Sequence, residues 1–213
     1  MDDSLSELSC EEFSERLAAR SSVPGGGGAV ALAGALAAAL CSMAGSFTAG
    51  KPRYADVEGE VLALMDEAEE VRCRLLELIE EDAAGFLPVT EALALPRDDP
   101  RRADAVERAI EGACMAPLAT MGECCRAIAL LERMGGVCAP ALASDVATGA
   151  YLARAALEGA SVNVYVNATM LRDRALASRI EASCDELLEG FSPRARALAD
   201  AVTARIRGRG QRG

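Results

Sequence analysis

Polar residues with unusual surroundings are the first candidates for chemistry in this sequence. Lys51 is its only lysine, and the other 21 of the 22 basic residues are arginines. A chain that otherwise uses arginine favours a role for Lys51 that needs a compact ammonium group with an adjustable pKa. The alternative is an incidental surface lysine.

The residues that end at Lys51 match the first seven positions of a phosphate-binding P-loop. A P-loop needs Ser or Thr directly after the lysine to bind magnesium, and here Pro52 follows. It also needs a β-strand before it, whereas the run before Gly45 is alanine-rich and typical of a helix. The sequence therefore argues against a nucleotide hydrolase.

An aspartate occupies the apolar face of a long predicted helix. Apolar residues recur every three or four positions from Val57 to Leu78, and the next position of this series is Asp82. A buried carboxylate has either a structural partner, such as an arginine or a helix end, or a role as a general acid or base with a raised pKa. In a chain without histidine, carboxylate chemistry is the natural route.

Two asparagines and a glycine run could contact a ligand. Asn163 and Asn167 lie one turn apart on an apolar helical series. They either form a hydrogen-bonded pair between helices or present amide groups to a ligand. The glycine run precedes a predicted helix, so its backbone N–H groups suit an anion, although such runs are also ordinary loops. The glycines concerned are Gly25, Gly26 and Gly27.

Helices must position these residues. The 213-residue chain is 51% hydrophobic but only 3% aromatic, and alanine and leucine dominate it. This composition predicts an all-α fold, a bundle of long helices in a single domain over residues 1–213, with a frayed basic tail from about residue 205. The first predicted helix starts at the capping box of Ser9 and Glu12 and ends at about Arg20, and the second runs from Gly28 to about Phe47. The third runs from about Ala55 towards Leu95 with a bend near Gly85 and Pro88, and the fourth from Pro100 to Met134 with a kink at Pro117. The fifth starts at Asp145, is capped by Ser144 and continues towards Gly190, and a short closing helix starts at Ser192.

Charge and cysteine usage exclude several classes of protein. The net charge of −11 argues against nucleic acid and anionic membrane surfaces as partners. Residues 21–50 carry no charge, but their alanine and glycine content predicts a buried central helix rather than a membrane span. The eight cysteines form no C-x-x-C pair, and without histidine they offer no zinc-site spacing. Reduced thiols and an acidic N-terminus without an apolar signal core predict a cytoplasmic protein.

Taken in order, several short motifs resemble the cyclodeaminase/cyclohydrolase family. They are PGGGGAVALAGALAAAL, TAGKPRY, DAAGF, SD and NVYVN, and the resemblance extends from about Glu11 to Asp173. The sequence departs from the family pattern at Gly28, where a serine is usual, and in GGVCAPALA, which lacks a clear Gly-Asn turn. The resemblance implies that the T-x-G-K-x-x-Y signature corresponds to Thr48, Gly50, Lys51 and Tyr54, that Asp82 is the acidic residue ahead of the family's A-F pair, and that Asp145, Asn163 and Asn167 are the later polar positions.

The resemblance implies a tetrahydrofolate derivative as substrate, in which one carbon bridges two nitrogens as a cationic amidine. Water attack on that carbon needs a base, and departure of a nitrogen needs an acid. Asp82 and Lys51 would form this pair. Lys51, Arg53 and the glycine run would meet the anionic glutamate tail, and no metal or redox cofactor is implied.

Two family activities remain open, together with a non-catalytic alternative. The enzymes either hydrolyse 5,10-methenyltetrahydrofolate to the 10-formyl compound or close 5-formiminotetrahydrofolate with loss of ammonia. The absence of a formiminotransferase domain in this sequence favours the cyclohydrolase. The alternative is a helical module that only oligomerises or acts as a scaffold. Long helices with alanine-rich faces predict a homodimer, and the resemblance implies folate sites near its interface. The glycine run and Lys51 are expected close to the helix that carries Asp82, within one subunit or across two.

Overall fold

Seven α-helices form the bundle in the computed structural model, which describes residues 4–209. No strand occurs within these residues, so the predicted all-α, single-domain fold is confirmed. The helices are α1 (Cys10–Ala18), α2 (Gly26–Ser46), α3 (Glu58–Ala94), α4 (Arg102–Ala113), α5 (Met115–Val137), α6 (Ala143–Met170) and α7 (Arg174–Arg209), with short 3-10 helices at Leu5–Glu7, Pro52–Val57 and Pro140–Leu142.

Helix α2 lies at the centre of the bundle and packs against α3, α5 and α6. Its small residues allow this close approach: a Cβ added at Gly34 would lie 3.1 Å from both Leu75 of α3 and Cys124 of α5. The contacts of α2 with α6 run in opposite chain directions, because Gly149 faces the carbonyl of Ala37 whereas Asn163 faces Gly26. The two helices are therefore antiparallel.

The apolar face predicted for α3 is buried as expected. Its members from Val61 to Leu78 have no exposed surface, and Asp82 follows them with a partly exposed side chain. The predicted capping box is also present, since the Ser9 side chain accepts from Glu12 N while the Glu12 carboxylate accepts from Ser9 N.

The predicted kink at Pro117 is wrong, because the helix is interrupted earlier, at Cys114. Pro117 is the third residue of α5, where a missing N–H costs no helical hydrogen bond. Ser144 is not a cap either. Helix α6 begins at Ala143, directly after a 3-10 helix, and no side chain bonds its first turn.

The predicted continuation of α6 towards Gly190 is also wrong. It ends at Met170, and the Asp173 carboxylate then accepts hydrogen bonds from the N–H groups of Ala175 and Leu176 at the start of α7. The predicted short closing helix is part of α7, which continues through Pro193. Residues 205–209 of the predicted frayed tail are helical, and residues 210–213 lie outside the described residues.

Two helical stretches are long and apolar enough to cross a membrane, judged by length and composition alone. They are Gly26–Ser46 and Arg102–Val137, and the apolar 18-residue windows within them are 50% and 61% buried inside the bundle. Core helices of soluble proteins have the same properties, so this finding is weak evidence for a span.

Glycine-dependent packing makes a testable prediction at Gly149. A Cβ there would lie 2.9 Å from Leu131 and 3.3 Å from the carbonyl oxygen of Ala37, so Gly149→Ala should lower the free energy of unfolding by about 1–3 kcal/mol. Gly122→Ala is the matched control, because nothing lies within 4 Å of its Cβ position in α5. The control should be neutral or stabilising. Denaturant unfolding of both variants measures the difference, and equal stabilities would contradict the packing argument.

Candidate active site

A cleft of about 220 Å³ opens where the N-terminal end of α2 meets α3, α6 and the junction between α4 and α5. Six residues predicted from the sequence line it together, although they come from three separate parts of the chain. They are Gly25, Gly26, Gly27, Asp82, Asn163 and Asn167.

Asp82 is attached to the start of α2. Gly25 occupies the N-cap position and has no side chain to bond the helix end, and the N–H of Gly28 donates to the Asp82 carboxylate instead. A Cβ at Gly27 would collide with that carboxylate, so glycine is required for this contact. The helix-end partner considered in the sequence analysis is therefore present.

The surroundings of Asp82 also change its pKa. Burial raises the pKa of its carboxyl group above the ordinary value of 3.8, and the hydrogen bond from Gly28 opposes part of that rise. The side chain still lines the cleft. Asp82 thus combines a structural contact with the raised pKa and access to solvent that a general base needs.

The two asparagines have different surroundings. The Asn167 side-chain N–H donates to the Ala113 carbonyl over 2.8 Å, which anchors α6 to the end of α4. The Asn163 amide faces Gly26, with its oxygen 3.7 Å from the position of a Cβ there. Asn167 therefore makes a hydrogen bond between helices as well as lining the cleft, while Asn163 presents its amide beside the glycine run.

The cleft contains residues that were not predicted from the sequence. The most prominent is Phe86, which is 42% exposed and lies one helical turn after Asp82 on α3. This i, i+4 spacing is the signal that could have found it. The others are Ser22, Val23, Ala113 and Val166.

Thr48 does not bind substrate in this structure, which corrects its predicted role. Its side chain has no exposed surface. The hydroxyl donates to the Ala44 carbonyl over 2.7 Å and accepts from the Ala139 N–H over 2.9 Å. Thr48 instead ties the end of α2 to the segment that precedes α6.

The remaining predicted residues lie at the opposite end of α2. Lys51 is exposed just after that helix, and the Arg53 guanidinium lies 5.7 Å from the centre of the Tyr54 ring. Asp145 is in the first turn of α6. Because α6 runs antiparallel to α2, that turn lies at the same end of the bundle as Lys51.

Within one chain, Asp82 and Lys51 cannot act as a pair. The 21 residues of α2 rise about 30 Å, with the Asp82 contact at the start and Lys51 beyond the end. Lys51 is near the beginning of α3, since the Gly50 N–H donates to Glu58, but Asp82 lies about 36 Å further along that helix. The prediction of an acid–base pair therefore fails for a single protomer.

Among residues 4–209, no three cysteine or acidic side chains are arranged to hold a metal ion. The expectation of a reaction without a metal or redox cofactor stays a prediction.

The protein is an all-helical bundle in which a carboxylate lies at the glycine-rich start of a helix. Comparison with known proteins identifies the family that has this combination. Residues 9–186 match the formiminotransferase-cyclodeaminase family, and the chain belongs to it. It is 36% identical to a methenyltetrahydrofolate cyclohydrolase of Methylorubrum extorquens, covering 90% of this chain and 92% of that protein. It is 28% identical to a formimidoyltransferase-cyclodeaminase of Mus musculus, covering 96% of this chain but 38% of that protein.

A solved structure has the same fold. It is described as a formiminotetrahydrofolate cyclodeaminase from Thermotoga maritima, with a TM-score of 0.81 and 26% identity. The match covers 92% of this chain and 98% of that one.

Substitutions at Asp82 separate its two roles. Asp82→Asn should keep the fold, because the amide oxygen still accepts the Gly28 N–H, but should reduce turnover of the folate substrate by about a hundredfold or more. Asp82→Ala should also lose about 1 kcal/mol of stability with the helix-end contact. Turnover and denaturant unfolding measured side by side test both statements. An Asn variant that folds normally and keeps activity within about threefold would contradict the role as a base.

Proposed function

We propose that this chain hydrolyses 5,10-methenyltetrahydrofolate to 10-formyltetrahydrofolate. The observation that carries the proposal is the partly buried Asp82 carboxylate, which has a raised pKa and lines a cleft next to Asn163. The relative from Methylorubrum extorquens supports the choice of reaction, since the alignment extends over nearly the full length of both proteins.

In the proposed mechanism, Asp82 takes a proton from water as the water oxygen bonds to the bridging carbon. The cationic amidine thereby becomes a neutral carbinol. The carbon–N5 bond then breaks as N5 takes up a proton from a general acid. The hydroxyl proton returns to that acid as the formyl C=O forms, and Asp82 releases its proton to solvent. The products are the 10-formyl compound and one proton. The carboxylate also stabilises the positive charge of the substrate before attack.

Cyclodeamination of 5-formiminotetrahydrofolate is the second candidate. It is favoured by the description of the Thermotoga maritima structure and by the name of the mouse relative. The chain spans about two fifths of the mouse protein, so that relative supports the reaction class less directly.

The absorbance of the methenyl compound distinguishes the two reactions. With purified protein, we expect this absorbance to decay after the methenyl compound is added, faster than in buffer. Growth of the absorbance from 5-formiminotetrahydrofolate, without decay in the first experiment, would favour the cyclodeaminase. The hydrolysis rate should fall as the pH drops through the Asp82 pKa, above 3.8, because the base must be ionised.

The proposal includes a homodimer whose site is completed across the interface. Helix α2 lies in the charge-free stretch 21–50, yet Leu36 and Met43 are exposed on it and Phe47 is exposed directly after it. The neighbouring α6 adds Tyr151 and Val162, which are also exposed. The exposed apolar face of α2 is uncharged and suits a second copy of the chain. On α6, Glu158 lies between Tyr151 and Val162 and is ion-paired with Arg154. The cleft of one protomer is also smaller than the roughly 300–1,000 Å³ of typical ligand pockets.

A two-fold axis through the middle of this face would bring the separated residues together. It would pair α2 with its copy in antiparallel orientation. The end that carries Lys51 in one protomer would then lie beside the start of α2, and therefore beside Asp82, in its partner. Lys51 would serve as the acid for the departing nitrogen, and Arg53, Tyr54 and Asp145 would contribute to binding from the same side.

Mixing two inactive variants tests the shared site. Asp82→Asn and Lys51→Met homodimers should each have low activity. After exchange of subunits, half of the dimers are mixed, and each mixed dimer has one site with both native residues, so activity should return to about a quarter of the wild-type value. Equilibrium sedimentation should show a dimer throughout. No recovery after verified exchange, or a fully active monomer, would contradict the shared site.

A cytoplasmic location and independence from metals, redox cofactors and nucleic acids belong to the same proposal. They are supported by the eight cysteines without histidine and by 33 acidic against 22 basic residues.

A further inference from the structure

Among the described residues that line the cleft, Phe86 is the only one with an aromatic side chain. Aromatic residues are scarce in this chain, with four phenylalanines, three tyrosines and no tryptophan. A phenylalanine with 42% of its surface exposed leaves an apolar ring in contact with solvent, which disfavours the unliganded state. Its position within a cleft indicates a ligand surface.

The position of Phe86 on α3 places it beside the reactive carboxylate. Asp82 and Phe86 are four residues apart, so their side chains lie on the same face of the helix. Val166 of α6 lines the same cleft and is 56% exposed. The cleft therefore offers an aromatic ring and an aliphatic side chain next to Asp82.

The charges of the cleft indicate which ligand this arrangement suits. Within residues 4–209, Asp82 is the only charged side chain that lines the cleft. A single carboxylate and an aromatic ring in the same cleft form a combination that attracts cations, through charge and through the ring quadrupole.

We propose that Phe86 is the residue that selects the planar cationic form of the substrate, by stacking its ring against the amidine. This inference rests on the proposed function, because the bridging carbon of the methenyl compound makes that part of the molecule flat and positively charged. A neutral folate lacks the charge and gains only the apolar contact.

The contribution of Phe86 should appear in binding rather than in turnover. When water adds to the bridging carbon, the charge disappears and the carbon becomes tetrahedral, so the cation–ring attraction weakens along the reaction. An interaction that is stronger with the substrate than with the transition state lowers KM without raising kcat.

Phe86→Leu tests this division, because leucine keeps apolar volume but has no ring. We expect KM for the methenyl compound to rise about three- to thirtyfold with kcat unchanged or slightly higher. The inhibition constant of 5-formyltetrahydrofolate, a neutral analogue at the same ring system, should change less than about twofold. Phe86→Tyr should retain the wild-type KM. Leu87→Ala is the control, since Leu87 is the exposed neighbour on α3 that does not line the cleft.

Each other outcome overturns the inference. An unchanged KM in Phe86→Leu, with an active wild-type enzyme, would refute a role for the ring while leaving the proposed function intact. Equal losses for the cationic and neutral ligands would show a general apolar contact instead of cation selection. Dissociation of the Phe86→Leu dimer in sedimentation would assign Phe86 to the subunit interface. A wild-type protein without hydrolytic activity would overturn the proposed function and this inference together.

Discussion

The contact between the Asp82 carboxylate and the start of α2 is the interaction on which the candidate site depends. The helix begins with glycines that have no side chain to satisfy its first N–H groups, and a carboxylate from α3 takes that role. Gly27 must lack a Cβ for this approach to be possible. One interaction therefore fixes the start of the central helix and the place of Asp82, the proposed base, in the cleft.

Burial of the Asp82 carboxylate carries a cost in stability that depends on pH. Because the pKa of Asp82 is raised in the folded protein, the native state holds its proton more tightly than the unfolded chain does. The tighter binding of this proton stabilises the folded protein fully at pH values below 3.8, the ordinary pKa of an aspartate. This stabilisation is lost as the pH rises through the raised pKa of Asp82. At neutral pH the ionised carboxylate is partly buried, and its desolvation lowers the stability of the folded protein. Such a cost is expected for a carboxylate that has a functional role.

The helical periodicity of the sequence identified some of the residues that line the cleft. The apolar face of α3 identified Asp82, and the face of α6 identified Asn163, because helical spacing fixes which side chains point into a bundle. Spacing says nothing about which ends of two helices meet, so it could not show that Lys51 and Asp82 lie at opposite ends of one protomer. The substrate-binding role predicted for Thr48 has a related problem. A threonine that forms hydrogen bonds with backbone groups and one that binds a ligand look the same in a sequence. The interruption at Cys114 lies between Gly112 and Pro117, and a proline is compatible with either a kink or the first turn of a new helix, so the break was expected three residues too late.

The length and composition of α2 explain how a chain without histidine could still assemble an acid and a base. A helix built from small, uncharged residues can be buried on three sides by α3, α5 and α6 while its fourth side stays apolar and open. Its two ends hold different chemistry, a carboxylate at the start and an ammonium group after the end. Antiparallel pairing of two such helices would place the carboxylate end of each helix beside the ammonium end of its partner. One apolar contact would thus create two complete sites. In this arrangement association would supply the second functional group, and substrate turnover would depend on dimer formation even though each protomer folds its own cleft.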